Sequence, residues 1–334
     1  MHPRVTIIYN EPSPSRYSAI GEEKAVLGVL DEVAAVHQAL DELGYPVTLV
    51  PLLPPLEQAR AKLRALETDL VFNLFEGFAG TPETEALVVD ILSEQGVPYT
   101  GCPGTALALG LDKAKTKALL KASGIETPSY QVLTPETLSL FQLGYPCIVK
   151  PCAEDASHGL SEKGVVDDFA SLEKQVALVS MSFGGKALVE EFIEGRELNA
   201  TVLGNRELIV MPISEIVYSL PPVMPRILTF AAKWEPNSIY FQGSKSVCPA
   251  KIEEDVREHI VRTARAVFRL VGCRGYARVD MRLDPEGRLH VLEVNPNPDI
   301  SPDYGAARQA EAAGMRYDQF IEQIVLLALE GDGG

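Results

Sequence analysis

The stretch Gly275–Ser301, GYARVDMRLDPEGRLHVLEVNPNPDIS, decides how the rest of the chain is read. Its DPEG at 284–287 is a turn signal between two alternating runs and predicts an antiparallel hairpin. Pairing Leu283 with Arg288 across a four-residue loop sets Arg278 opposite Glu293 and Asp280 opposite Val291. Side chains at i and i+2 share a strand face, so Arg278, Asp280, Glu293 and Asn295 are expected to project together. Two carboxylates and an amide then converge, a set of hard oxygen ligands that suits Mg²⁺ completed by substrate phosphates. The plainer alternative is a solvated face on which Arg278 pairs with Glu293. Apolar runs on both sides weaken it, as does NPNPD, whose prolines fix the chain direction instead of extending the strand.

Outward from the hairpin, EEDVREHIVRTARAVFRLVG reads as a helix before it, and a closing helix after it carries Tyr317, Phe320, Ile324, Leu327 and Ala328 on one face. Farther back, YPCIVKP, KGVVDD, ALVEEFI, ELNATVLGN and LIVMPISEI read as strands of a mixed α+β unit. The proline-rich segment 219–250 has no clear period and is expected to be one long ordered loop. The first hundred residues have another rhythm. VTIIY, PVTLVPL and DLVFNLF alternate with helical patterns, one with Val33, Val36, Leu40 and Leu43 at helical spacing, and glycines at 44, 96 and 124 stand where helices stop. This βαβ order predicts a parallel sheet. LDKAKTKALLKASGI predicts one helix with Leu111, Ala114, Ala118, Leu119 and Ala122 on its apolar face, leaving Lys113, Lys117 and Lys121 on the solvated one.

Composition narrows the function. The 30 basic and 46 acidic residues of this 334-residue chain give a net charge of −16, a field that disfavours nucleic-acid partners and anionic membranes. One triphosphate with its metal ion still needs only a few local lysines. At 46% hydrophobic and 23% charged residues the chain can bury a sizeable core over two to three domains without covalent staples. Five cysteines without a CxxC pair argue against a disulfide framework or structural zinc and fit a reducing cytoplasm. The N-terminal apolar run is too short for a secretion signal, and no stretch approaches the ~18 apolar residues of a membrane span. A soluble, unexported chain is expected.

RVD, a short turn and LEVN resemble the metal-binding end of the ATP-grasp superfamily, and GCRGYARVD with EVNPNPDIS resembles its D-alanine–D-alanine ligase branch. VPYTG, LDKAKTK, YPCIVKP, LVEEFIEGRELNATVLG and VCPA follow in the order and approximate spacing of that branch, so the resemblance covers roughly Asp69 to Ala328. Either short motif alone would be weak; the ordered set is specific. The resemblance implies an α/β and α+β chain with the ATP-grasp fold: a Rossmann-like N-terminal domain over 1–105, a central lid subdomain over 106–186, and a C-terminal domain over 187–334 carrying the Mg/ATP site. It also implies a homodimer.

Carried over position by position, the resemblance makes Asp280, Glu293 and Asn295 ligands of two Mg²⁺ ions, with Glu293 between them and Mn²⁺ able to substitute. Lys113 and Lys150 correspond to the lysines that touch ATP phosphates, a task suited to mobile point charges. Glu190, Glu191 and Ile193 correspond to the strand that edges the adenine, and Glu197 to the residue that accepts the ribose hydroxyls. Ser157 lies in the segment 151–163, at the position of the phosphate-covering loop, although that segment is poorer in glycine than the family loop. His158 beside it reads as a loop residue and not as a base. Arg278 is assigned to the transferred phosphate, and Lys233 to closure over the γ-phosphate.

The implied activity is that of an ATP-dependent carboxylate–amine ligase forming an amide or peptide bond through an acyl phosphate, on small amino-acid or peptide substrates. The substrate end departs from the family pattern. VTIIYNEPSPS replaces the glycine-rich segment with the first-site glutamate, Ala156 the first of the paired serines, and Trp234 the loop tyrosine. Glu76 stands for the family histidine, Asp299 for the glycine of the PGMT turn, and Tyr304 near the serine that holds the second carboxylate. Joint loss of a hydrogen-bonded triad implies a different substrate, with Glu76 contributing to an ammonium site. Two alternatives stay open: a genuine D-alanine–D-alanine ligase of cell-wall synthesis, and a non-catalytic ATP-binding sensor or scaffold.

Overall fold

A computed structural model of the chain describes residues 2–12, 23–78, 80–154 and 157–330. Ala156 and the end of the N-terminal stretch, from Ser13 on, lie outside the described residues. In the N-terminal unit β1 (Val5–Asn10) lies between β2 (Val47–Leu52) and β3 (Leu70–Leu74), all parallel, with Val5 beside both Val47 and Leu70. The expected βαβ order is therefore met, with α1 (Glu23–Glu42), α2 (Leu56–Arg64) and α3 (Thr84–Glu94) as the crossovers and flanks. Val29, Val33, Val36 and Leu40 of α1 are buried on one helical face. Gly44 then takes φ 81°, a left-handed conformation open to glycine that turns the chain toward β2.

The helix expected from Leu111 starts two residues later: Leu111 ends α4 (Gly104–Leu111), and α5 (Lys113–Ala122) follows. Asp112 interrupts them because its carboxylate accepts the Lys115 N–H at 3.0 Å, an N-cap that starts α5 anew. The break rotates the second helix. Lys113, Thr116, Lys117 and Leu120 are its buried residues, while Ala118 and Ala122 are exposed, which overturns the expected apolar face.

The central unit is the antiparallel sheet β4-β7-β5-β6, built from β4 (Tyr130–Leu133), β5 (Cys147–Pro151), β6 (Val165–Val166) and β7 (Ala187–Glu191). Helix α6 (Phe169–Ser182) supplies Leu172, Val176 and Val179 to a core with Leu133, Val149 and Val189. Strand β7 belongs to this sheet, so its pairing carries the central unit past residue 186.

The third sheet runs β11-β10-β8-β12-β13, with β9 (Ile209–Val210) attached to β8 (Arg196–Leu203). Its other strands are β10 (Ser214–Tyr218), β11 (Ser244–Val247), β12 (Tyr276–Leu283) and β13 (Leu289–Pro296). The segment 219–250 is more ordered than a loop. It folds into α7 (Phe230–Trp234) and α8 (Ile239–Gly243), each started by a hydroxyl cap from Thr229 or Ser238, and then β11. Helix α9 (Glu254–Val271) covers one sheet face with Ile260, Ala264, Val267 and Phe268. After α10 (Gly305–Ala312), α11 (Tyr317–Leu329) packs Phe320, Ile321 and Ile324 in one cluster with Ile7, Val33 and Phe72, which joins the two ends of the chain. Among the described residues no helix is long and apolar enough to cross a membrane.

The hairpin forms as expected, but its register differs. The loop is one residue longer, because Asp284 accepts the Arg288 N–H at 2.8 Å, Gly287 is left-handed at φ 81°, and Leu283 pairs with Leu289. A bulge then shifts the register between Asp280 and Met281. Asp280 ends opposite Glu293 and Arg278 opposite Asn295, not opposite Val291 and Glu293.

Candidate active site

A cavity of about 640 Å³ lies between the central and C-terminal sheets and reaches the N-terminal unit. Arg278, Asp280, Glu293 and Asn295 all line it, as period-two alternation on β12 and β13 requires. Two carboxylates directly opposite each other on paired strands repel, so this pair persists through its neighbours. Arg278 donates to both Asp280 oxygens, at 2.7 Å from Nε and 2.9 Å from Nη2, and Asn295 Nδ2 donates to Asp280 Oδ2 at 2.9 Å. Burial would raise the Glu293 acid, but Lys113, Lys150, Lys233 and Arg278 together hold it down at about 2. Lys113 Nζ is 3.8 Å from Glu293 Oε2 and donates to the Glu154 carbonyl at 2.5 Å. Among the described residues no three histidine, cysteine, aspartate or glutamate side chains converge as a metal set. Two carboxylates and one amide make an incomplete oxygen cage, which fits an ion such as Mg²⁺ that keeps waters and shares substrate phosphates.

Beside this pair lies a second charge group. Glu190 is buried between Lys117 at 3.0 Å and Lys150 at 2.9 Å. Its burial would favour the acid form, yet the two lysines hold its pKa below the ordinary value. Lys117 is 1% exposed, and burial pulls its ammonium down to about 8 against the attraction of Glu190. Glu190, Glu191 and Ile193, expected to edge an adenine through backbone groups, all line the cavity. Glu190 is paired with Tyr130 and Ile148 on its two sides, its carboxylate faces the lysines, and the Glu191 side chain is exposed. Ile193 stands past the strand end, where its carbonyl accepts Arg282 Nη1 at 2.9 Å.

Glu197 also lines the cavity, accepting the Tyr218 hydroxyl at 2.7 Å and the Arg282 guanidinium. Over the cavity, Ser157 has φ 61° and donates to the Leu228 carbonyl at 3.2 Å, while the Phe230 N–H donates to the Leu160 carbonyl. The covering segment is thereby tied to the turn that leads into α7. His158 is buried, with its ring 5.7 Å from that of Phe230, as a packed loop residue. Lys233 on α7 lines the cavity; burial and Arg278 lower its pKa, opposed by Glu293 and Asp280.

At the opposite end the wall is acidic. The Glu76 N–H donates to Asn10 Oδ1 at 3.2 Å, Asp299 Oδ1 accepts the Ser301 N–H at 2.7 Å, and both residues line the cavity. Trp234 and Tyr304 stand there too, their ring centroids 6.5 Å apart. Two functional candidates escaped the sequence reading. Lys117 was signalled by its i+4 spacing from Lys113, but its partner Glu190 is remote in sequence. Glu32, on the apolar stripe of α1 between Val29 and Val36, was signalled by being an acid where a core residue is due.

Comparison with known proteins bears on the family and the fold. The family described as D-ala D-ala ligase C-terminus matches residues 119–326. A protein of Sinorhizobium fredii named uncharacterized protein y4sG is 35% identical over 307 residues, 91% of this chain and 86% of that one. The D-alanine–D-alanine ligase of Alcanivorax borkumensis is 32% identical over 302 residues, 90% of this chain and 89% of the ligase. The solved D-alanine–D-alanine ligase of Bacillus anthracis superposes with a TM-score of 0.76 at 21% identity, covering 98% of this chain and 97% of that chain.

Proposed function

Since the chain belongs to the D-alanine–D-alanine ligase family of ATP-grasp, ADP-forming ligases, we propose that it joins the carboxylate of one amino acid or peptide to the amine of another, through an acyl phosphate made at the expense of ATP. The observation that carries this reading is the charge of the cavity. Lys113, Lys150, Lys233 and Arg278 line the cavity with Glu190, Asp280 and Glu293, and Lys117 backs Glu190 from outside it, an excess of cations that a triphosphate would satisfy. Asp280, Glu293 and Asn295 would hold Mg²⁺, one or two ions, with Mn²⁺ as a substitute. When bound, such an ion supplies Lewis-acid neutralisation of phosphate charge.

The remaining work falls to the chain. Lys113 and Lys150 hold phosphates, and Lys233 closes over the terminal one from α7. Arg278 fixes the Asp280 carboxylate with two hydrogen bonds and presents positive charge where the transferred phosphoryl group and the oxyanion of amine attack develop. Ile193 and Glu197 face the adenine and ribose. Substrate positioning brings the amine to the acyl carbon and excludes water, which would otherwise hydrolyse the acyl phosphate. Glu76 and Asp299 receive the amino-acid end.

The test is ATP-dependent phosphate release against a matrix of amino acids and dipeptides, with product identified by mass. Amino-acid-dependent release with a coupled product supports the ligase. Release with D-alanine alone, giving the D-alanine dipeptide, selects the cell-wall enzyme. ATP binding without release across the matrix overturns catalysis in favour of a sensor. Glu76→Gln is expected to raise KM for the amino substrate and leave KM for ATP unchanged; no change in either removes Glu76 from the substrate site.

A further inference from the structure

Strand β12 sends a second guanidinium toward the cavity beside Arg278. In its stretch RVDMR, Arg278, Asp280 and Arg282 recur at period two and share one face, and all three line the cavity. Arg282 is 4% exposed and stands directly opposite Glu197 of β8, an opposite-charge pair across antiparallel strands. Its Nη2 donates to Glu197 Oε2 and, at 2.9 Å, to the Arg226 carbonyl, while Nη1 donates to the Ile193 carbonyl at 2.9 Å. Its Cζ lies 5.4 Å from the centre of the Phe192 ring, within reach of a cation–π contact.

These partners come from three separate segments. Ile193 follows the end of β7, Glu197 lies on β8, and Arg226 precedes α7, the helix that carries Lys233. A guanidinium spreads five donors over a planar fork and can serve all three, where the donors of an ammonium group radiate from a single nitrogen. Glu197 shows what the fork achieves. The Tyr218 hydroxyl and Arg282 both donate to Oε2, and among the described residues Oε1 accepts from none, so one oxygen fixes the carboxylate and the other is left to accept. Arg282 also offsets a negative charge that would repel a triphosphate in the same cavity. Stability alone gives little reason for a buried ion pair at this strand position, because apolar side chains of similar volume hold a core as well.

We propose that Arg282 is a positioning residue for the nucleotide: its one guanidinium sets the Glu197 carboxylate for the ribose hydroxyls and joins it to the segment that brings Lys233 over the terminal phosphate. This rests on the ligase reading, with Glu197 at the ribose, and deepens it by assigning how the ribose acceptor and the closing segment are held together. The hydrogen bonds of Arg282 all go to residues on the nucleotide side, so its loss falls on ATP and not on the amino substrate.

The experiment uses the full chain and two readouts: calorimetric binding of Mg–ATP, 2′-deoxy-ATP and 3′-deoxy-ATP without amino substrate, and phosphate release across the amino-acid matrix. The unsubstituted protein is expected to bind ATP at least about tenfold more tightly than one or both deoxy analogues, the worth of a hydrogen bond to a charged acceptor. In Arg282→Met this preference is expected to shrink to about twofold or less, because ATP binding weakens while binding of the deoxy analogue changes little, with KM for the amino substrate unchanged. Arg282→Lys keeps the charge without the fork and guards against a folding defect in the methionine variant; its ribose preference and its kcat are both expected to fall. Equal weakening of ATP and the deoxy analogues marks a merely structural ion pair and overturns the inference, as does an undiminished preference in Arg282→Lys. Absence of any ribose preference in the unsubstituted protein removes Glu197 from the ribose and overturns the inference, while amino-acid-dependent phosphate release in the same protein leaves the ligase standing. A ribose preference that Arg282→Met abolishes, in a chain that releases no phosphate with any substrate, upholds the inference and overturns the ligase.

Discussion

At the residue scale the site is a set of charges that cannot be removed singly. Lys117 and Lys150 share Glu190, so Lys117→Met leaves a buried carboxylate with one partner where it had two. A loss of about 3 kcal/mol in urea unfolding is expected, with a raised KM for ATP because Lys150 is then drawn wholly to Glu190. Unchanged stability would mean that Lys117 is dispensable to the cluster. Asp280→Asn removes the charged partner of Arg278 and, on the proposed reading, a carboxylate ligand of the metal; phosphate release is expected to fall by about 100-fold or more with the fold intact by circular dichroism. Acid stability reads out Glu293. Its folded pKa of about 2 lies below the ordinary 4.5, so the folded state binds fewer protons than the unfolded one between those values. The contribution is complete above pH 4.5 and is lost as pH falls through 2. Glu293→Gln is expected to flatten the decline of unfolding free energy across that window, and an equal slope in both proteins would contradict the assignment.

At the element scale, the hairpin shows what alternation can and cannot reveal. Which side chains of β12 and β13 share a face follows from period two, so Arg278, Asp280, Glu293 and Asn295 were legible as a group. Which of them stand opposite each other depends on the turn at Asp284 and the bulge after Asp280, and both arise from backbone geometry that apolar–polar patterning does not encode. The α4–α5 break was missed for a similar reason: one capping carboxylate at Asp112 outweighs a helical pattern that runs continuously through it. Asp112→Ala is expected to cost about 1 kcal/mol in thermal unfolding and to weaken ATP binding, since Lys113 begins the capped helix. Helix α4 packs closely on β13: a Cβ on Gly110 would sit 2.6 Å from Pro296 Cδ. Gly110→Ala is therefore expected to destabilise by about 1–3 kcal/mol despite the better helix propensity of alanine, about 1 kcal/mol, because the Pro296 ring on β13 has to move.

At the scale of the molecule, the sequence reading reached the order of the units and most of their strands, because hydrophobic rhythm is a local signal. It did not reach contacts that only tertiary folding creates. Lys117 on α5 meets Glu190 on β7, remote from it in sequence, and Glu32 on the first helix meets Ile300 near the end of the chain. The cavity exists only where three sheets approach, so a ligand that fills it should stabilise them together. Mg–ATP at about 100 times its Kd is expected to add about 2.7 kcal/mol, and chelation of the metal to abolish the gain. An unchanged melting temperature would contradict nucleotide binding in the cleft.

The central claim is that a carboxylate is activated by phosphoryl transfer beside Asp280, Glu293 and Arg278. It is tested most directly with ¹⁸O in the carboxylate of the substrate that supports turnover. The account predicts one labelled oxygen in each phosphate released with ADP, and loss of that transfer in Asp280→Asn. Unlabelled phosphate, or release of AMP and pyrophosphate in place of ADP, would contradict it.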